Sequence, residues 1–113
     1  MAGSWLDSGT MAWHDAAAIM QAGSARPWLP LTVAGTRVVI AHVDGAWFGF
    51  EDRCAHAGCA FSEDGELAGG DVICNCHGSE YDVSTGAVRR GPAERPIRTF
   101  PVRIVGDRLE IDV

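Results

Sequence analysis

Short apolar runs separated by turn residues dominate the hydrophobic pattern of this chain. Residues 37–43 are apolar and rich in β-branched side chains, which is typical of a buried strand. Asp44 and Gly45 follow as a hairpin turn, because glycine adopts a positive φ without steric cost. Residues 46–50 then form the returning strand.

Later segments continue this pattern. Strands are predicted for five further stretches, residues 71–74, 80–83, 87–89, 97–105 and 108–113. Residues 67–70 and the pair Gly106-Asp107 are predicted turns. Short strands separated by turns indicate an all-β fold, either an antiparallel β-sandwich or a small barrel.

The first thirty residues are less regular. Residues 1–12 are rich in Gly, Ser and Ala and are predicted to form a loose arm. Residues 14–21 favour a short helical turn. Pro27 and Pro30 interrupt the chain before the strand pattern begins at Leu31.

Length and composition then limit the class of protein. A chain of 113 residues, 47% hydrophobic and 21% charged, predicts one globular domain that can bury a core without disulfides. No apolar run approaches the ~20 residues that span a bilayer. Residues 1–10 lack the basic and apolar regions of a signal peptide, so we expect a cytoplasmic protein.

The charge balance excludes some partners. The net charge is −6, and all nine basic residues are arginines. Nucleic acids and anionic membranes select for basic surfaces, so neither is an expected partner. The balance allows a basic protein partner, although an acidic surface also serves solubility alone.

Cysteine and histidine cluster in one part of the chain. All four cysteines lie between positions 54 and 76. Three of them belong to the groups Cys54-Ala-His56 and Cys74-Asn-Cys76-His77, and Cys59 lies between these groups. In a cytosolic protein such clustering suggests a metal site before it suggests disulfides. The other two histidines, His14 and His42, lie far from these groups and are expected to have no role there.

The residue types leave three interpretations of the cluster. Zinc accepts two thiolates and two imidazoles, although one residue between Cys54 and His56 is an unusual spacing for it. A 2Fe–2S cluster with two Cys on one iron and two His on the other fits well. The third interpretation is a set of cysteines buried for packing alone.

The pattern C-x-H…C-x-x-H resembles the signature of Rieske proteins. The resemblance implies one 2Fe–2S cluster of the Rieske type, with Cys54, His56, Cys74 and His77 as its ligands. It covers roughly residues 35–113. It also implies a base β-fold at about residues 13–51 and 93–113 and a cluster-binding subdomain of two loops and a small hairpin at about residues 52–92, within a single domain.

Further residues match the high-potential members of that family. There, each loop carries an extra cysteine, and the resemblance implies a disulfide between Cys59 and Cys76. A serine and a tyrosine donate hydrogen bonds to the cluster sulfurs in those proteins, and Ser79 and Tyr81 occupy the matching positions. The segment at residues 91–93 resembles the proline loop that covers the cluster.

The ligand set determines the range of the reduction potential. Two ferric ions, two sulfides and two thiolates sum to zero charge, whereas four thiolates would give −2. An electron is easier to add to the neutral centre, so the potential lies within about −150 to +300 mV. Hydrogen bonds to sulfur would raise it further.

Two functions are compatible with the resemblance. The first is a soluble Rieske ferredoxin, a one-electron carrier from a flavoprotein ferredoxin reductase to a terminal oxygenase of the ring-hydroxylating dioxygenase type. The alternative is a high-potential electron-transfer subunit of a respiratory or oxidase complex, which the loop cysteines, Ser79 and Tyr81 favour. The absence of nucleophile and nucleotide-binding motifs predicts that the chain is not an enzyme by itself.

Overall fold

A computed structural model gives the fold of the protein. It describes residues 12–18, 28–55 and 58–113. The elements within these residues are β1 Trp13–Ala18, β2 Trp28–Val33, β3 Thr36–Val43, β4 Ala46–Glu51, α1 Phe61–Asp64, β5 Gly65–Ala68, β6 Asp71–Cys74, β7 Ser79–Asp82, β8 Val88–Arg90, β9 Thr99–Phe100, β10 Val102–Val105 and β11 Arg108–Asp112.

These strands form three antiparallel sheets. Their orders are β1-β11-β10, β2-β3-β4-β9 and β5-β6-β7-β8, and every pairing is antiparallel. The all-β prediction is therefore confirmed. No helix in the described part of the chain has the length and hydropathy needed to cross a membrane.

Local turn chemistry predicted the hairpins correctly. Asp44 (φ 52°) and Gly45 (φ 81°) connect β3 to β4, as their sequence requires. Gly106 (φ 64°) begins the turn between β10 and β11. The third sheet lies within residues 65–90; the proposed division of the chain at residues 52–92 stays a prediction.

The helical turn predicted for residues 14–21 is wrong. Residues 14–18 belong to β1, which pairs with β11 at the other end of the chain, and residues 19–21 lie outside the described residues. Pairing over such a separation overrides a weak local preference. The arm predicted at residues 1–12 also lies outside the described residues, apart from Ala12.

Pro30 does not interrupt the chain before the first predicted strand, as the sequence had suggested. Pro30 lies inside β2 and pairs in register with Val39. A proline is tolerated there because β2 is the outermost strand of its sheet. Pro101 divides the strand predicted at residues 97–105 into β9 and β10.

The turn predicted at residues 67–70 is shorter than expected. Leu67 and Ala68 belong to β5, and only Gly69 and Gly70 turn the chain into β6.

Strand β3 contributes to two separate cores. Val39 and Ala41 belong to one core, together with the cysteines and Tyr81, whereas Val38 and Ile40 belong to the other. This alternation follows from the two-residue period of a strand. The first core supports the loops that carry the Cys and His groups.

Candidate metal centre

The two cysteine loops share the same backbone turn. In the first loop, the Gly58 N–H donates to the Cys54 carbonyl at 2.9 Å, and in the second the Gly78 N–H donates to the Cys74 carbonyl at 2.8 Å. Both glycines have positive φ, 74° and 85°, which side chains with a Cβ rarely adopt. Each loop therefore presents its cysteine at the same point of an equivalent turn.

Strands and one buried carboxylate position these loops. Cys74 ends β6 and pairs in register with Ser79, the first residue of β7. The first loop leaves β4 through Asp52, which accepts hydrogen bonds from Arg37 (3.0 Å) and from the backbone N–H and hydroxyl of Ser62 (2.8 and 2.6 Å). Asp52 thereby links β3, the loop and α1.

Cys54 and Cys74 are buried side by side beneath the loops. Each is 1% exposed, and neither belongs to the disulfide. Burial raises the pKa of the Cys74 thiol, and the hydrogen bond and charge of Cys54 raise it further. Two adjacent thiols in such a place favour a soft cationic centre, because the cation stabilises the thiolates that burial alone disfavours.

Cys59 and Cys76 form the disulfide that the resemblance implied. It joins the two loops, with a Cα–Cα distance of 6.8 Å. The sulfurs of Cys59, Cys74 and Cys76 all lie within 4.8 Å of one another. Because two of these are oxidised to the disulfide, only Cys74 among them can offer a thiolate.

The structure describes three of the four residues proposed as ligands. His77 is exposed and lies within the turn at residues 75–78 that follows Cys74. His56 lies outside the described residues. The assignment of all four residues as ligands stays a prediction.

Tyr81 and Ser79 lie behind the loops and are fully buried. The Tyr81 hydroxyl is 3.1 Å from Cys54 Sγ, and its ring contacts Phe61 edge-on, with 5.8 Å between ring centroids. Ser79 Oγ accepts a hydrogen bond of 3.0 Å from the Ala93 N–H. That bond attaches the segment at residues 91–93, which contains the cis Gly91-Pro92 bond, to the start of β7.

Sequence reasoning did not identify Asp52. In the sequence, an aspartate directly after a strand looks like an ordinary loop residue. Its hydrogen-bond partners, Ser62 and Arg37, are 10 and 15 residues away. His42 stacks on Trp47 with 4.2 Å between ring centroids, and His14 lies in β1. Both histidines belong to strands rather than to the cysteine loops.

The donor set fits an iron–sulfur centre with mixed ligands. Two buried thiols can supply two thiolates, and the exposed His77 can offer an imidazole. The described sulfurs offer no third or fourth thiolate, because Cys59 and Cys76 are bonded to each other. A centre ligated by four cysteines of this chain is thereby excluded.

Comparisons with known proteins agree with this donor set. A model of the Rieske [2Fe-2S] domain family matches residues 12–101. The ferredoxin component of the p-cumate 2,3-dioxygenase system of Pseudomonas putida is 36% identical over 80 residues, 71% of this chain and 68% of the relative. The ferredoxin component of a naphthalene 1,2-dioxygenase system of Pseudomonas aeruginosa is 34% identical over 104 residues, 92% of this chain and 98% of the relative.

A solved structure shares the fold. The ferredoxin of carbazole 1,9a-dioxygenase from Nocardioides aromaticivorans IC177 superposes with a TM-score of 0.81 at 20% identity, covering 89% of this chain and 97% of that chain. At this identity the likeness concerns the fold alone.

Proposed function

The chain belongs to the Rieske [2Fe-2S] domain family, and we propose that it carries single electrons from a flavoprotein reductase to the terminal oxygenase of a ring-hydroxylating dioxygenase system. The observation that carries this proposal is the match to a dioxygenase ferredoxin component over 92% of this chain and 98% of that relative. The protein would then work in the cytoplasm as an electron-transfer component and not as an enzyme by itself.

The residues around the loops have separate roles in this proposal. Cys54 and Cys74 would hold one iron, and His56 and His77 the other. When bound, the cluster supplies reversible uptake of one electron. The Tyr81 hydroxyl oxygen lies 3.1 Å from the Cys54 sulfur. With that sulfur as a thiolate ligand, the hydroxyl would donate its hydrogen to it and stabilise the negative charge there.

The remaining contacts keep the site rigid and partly closed to water. The Cys59–Cys76 disulfide prevents the two loops from separating. Ser79 holds the segment at residues 91–93 against the hairpin through the Ala93 N–H. Because His77 is exposed, we place electron entry and exit at that side of the site.

Two observations favour the alternative function as well. The disulfide and the Tyr81–Cys54 contact belong to the loop features of the high-potential members of the family. They support a second candidate, an electron-transfer subunit of a respiratory or oxidase complex. The two functions differ in reduction potential, because a high-potential carrier drives oxygen activation poorly.

The test is a potentiometric titration of the protein purified from iron-replete cells. We expect two irons and two acid-labile sulfides per chain and a midpoint in the lower part of the range of about −150 to +300 mV. A midpoint well above zero would overturn the oxygenase role in favour of the alternative. A colourless protein holding only zinc would overturn both.

Substitution of the proposed ligands completes this test. Cys74→Ser and His77→Ala should each lose the characteristic visible absorption of the cluster, whereas His42→Ala is the matched control and should keep it. Retention of a normal spectrum in either ligand variant would contradict the assignment.

A further inference from the structure

A groove of about 430 Å³ lies beside the first cysteine loop. Its walls are Glu51, Arg53, Ala55, Arg95, Pro96 and Arg98. The side chains of three arginines therefore line one groove, and the Glu51 carboxylate among them interacts electrostatically with all three. This density of positive charge is unexpected on a chain of net charge −6.

The arginines of this groove differ from the others in their partners. Eight of the nine arginines lie in the described residues. Five of these eight form ion pairs with carboxylates within 4 Å, namely Arg37, Arg89, Arg90, Arg103 and Arg108. The three that form no such pair among the described residues are the three that line the groove.

Packing holds these side chains at the loop. Arg95 donates to the Ala55 carbonyl at 3.4 Å, and Ala55 directly precedes His56. The Arg53 guanidinium lies against Gly58, 3.4 Å from where a Cβ at that glycine would be. Arg98 lies over the Phe100 ring at 5.1 Å from its centroid. All three arginines remain exposed, so an incoming protein can reach them.

We propose that this arginine groove docks carboxylate side chains on the reductase that donates the electron. The inference rests on the proposed function. Guanidinium groups outside close ion pairs recognise carboxylates through paired N–H donors. Because three arginines outnumber the single Glu51 carboxylate in the groove, local positive charge beside the loop attracts an acidic face despite the net charge of the chain. Uptake of an electron by a cluster held in these loops would add negative charge near the groove, and that charge would weaken the attraction and favour release of the donor.

Photoreduced flavins test the charge at the point of electron entry. Reduced flavin mononucleotide carries a phosphate, and reduced lumiflavin has the same ring without it. In the cluster-loaded protein, we expect the rate constant with the mononucleotide to fall as salt is added. In the triple variant Arg53→Gln/Arg95→Gln/Arg98→Gln it should drop about tenfold at low salt, with the lumiflavin rate unchanged.

Two control variants separate local charge from other effects. Arg90→Gln/Arg103→Gln/Arg108→Gln has the same net charge as the groove variant and should keep the wild-type rate with the mononucleotide. Arg53→Lys/Arg95→Lys/Arg98→Lys retains the charge and should recover most of that rate. A lysine variant as slow as the glutamine variant, or a control variant equally slow, would overturn the assignment.

Reduction by the flavoprotein reductase of a naphthalene 1,2-dioxygenase system, supplied with its own electron donor, tests the protein partner. The groove variant should be reduced about tenfold more slowly at low salt than the wild type. An unchanged rate would overturn the docking inference while leaving electron transfer intact. A wild-type protein that lumiflavin reduces but the reductase does not would instead count against the proposed function.

Discussion

The Tyr81 hydroxyl oxygen lies 3.1 Å from Cys54 Sγ in the core beneath the loops. Tyr81→Phe removes this hydrogen bond and leaves the ring packed on Phe61. We expect the cluster to be retained and its potential to fall, because about 1 kcal/mol of preferential stabilisation of the reduced state is on the order of 40 mV for a one-electron couple. Potentiometric titration measures the shift.

Ser79→Ala tests the second hydroxyl in the same way and should also lower the reduction potential. The double variant Ser79→Ala/Tyr81→Phe should have the lowest reduction potential of the three variants. An unchanged potential in the double variant would contradict a tuning role for both hydroxyls.

The Cys59–Cys76 disulfide closes a loop with a sequence separation of 17 residues. Replacing both cysteines with serine should destabilise the protein by about 3 kcal/mol in the chain-entropy description. The loops would then separate more readily, and loss of visible absorbance in guanidinium chloride should be faster. If bleaching kept the wild-type rate, the disulfide would not be holding the site together.

Asp52 accepts three hydrogen bonds at the base of the first loop. Asp52→Asn introduces an amide group against the donors of Arg37 and Ser62, so we expect a loss of about 2 kcal/mol. Glu110→Gln, which removes a more exposed ion pair with Arg103, should cost less than about 1 kcal/mol. Thermal unfolding followed by circular dichroism compares the two, and equal losses would contradict the role of Asp52.

Gly86 is held at φ 81°, and its carbonyl accepts from the Ile97 N–H at 3.0 Å. A Cβ at this position would collide with the Ile97 carbonyl oxygen. Gly69 also has a positive φ, 62°, but has open space around it. Gly69→Ala should therefore cost about 1 kcal/mol, and Gly86→Ala should lower the unfolding temperature clearly more.

Asp82 accepts hydrogen bonds from the Ser84 N–H and hydroxyl and from Arg89. The Ser84 hydrogen bonds hold the pKa of this carboxyl below its usual range, and Arg89 lowers it further. A lowered folded-state pKa contributes stability that is present above the usual value of about 3.9 and lost as the pH falls. The difference in unfolding temperature between wild type and Asp82→Asn should be constant above pH 5 and shrink below pH ~4. A constant difference throughout would contradict this.

Features set by neighbouring residues were predictable from the sequence, and features set by distant pairing were not. The Asp44-Gly45 hairpin follows from the conformational freedom of two adjacent residues. The strand β1 does not follow from its own residues, because its partner residues in β11 lie 90 to 99 positions further along the chain. The cysteine loops depend on both kinds of feature. The spacing of Cys and His within each loop can be read from the sequence, whereas the disulfide that joins the two loops links residues that are 17 positions apart.

The hydrogen bonds of Asp52 and the arginine groove also could not be predicted from the sequence. Each assembles side chains from separate segments, and no short pattern marks them.

Pro30 has a consequence for the lifetime of encounters with other proteins. Among the described strands, β2 is the outermost of its sheet, and Pro30 within it has no backbone N–H to offer to a strand approaching from outside. Exposed strand edges otherwise recruit foreign chains into lasting aggregates. We therefore expect this proline to disfavour the pairing of β2 with a strand of another protein. Such short-lived contacts suit an electron carrier, which must dissociate from one protein before it binds the next.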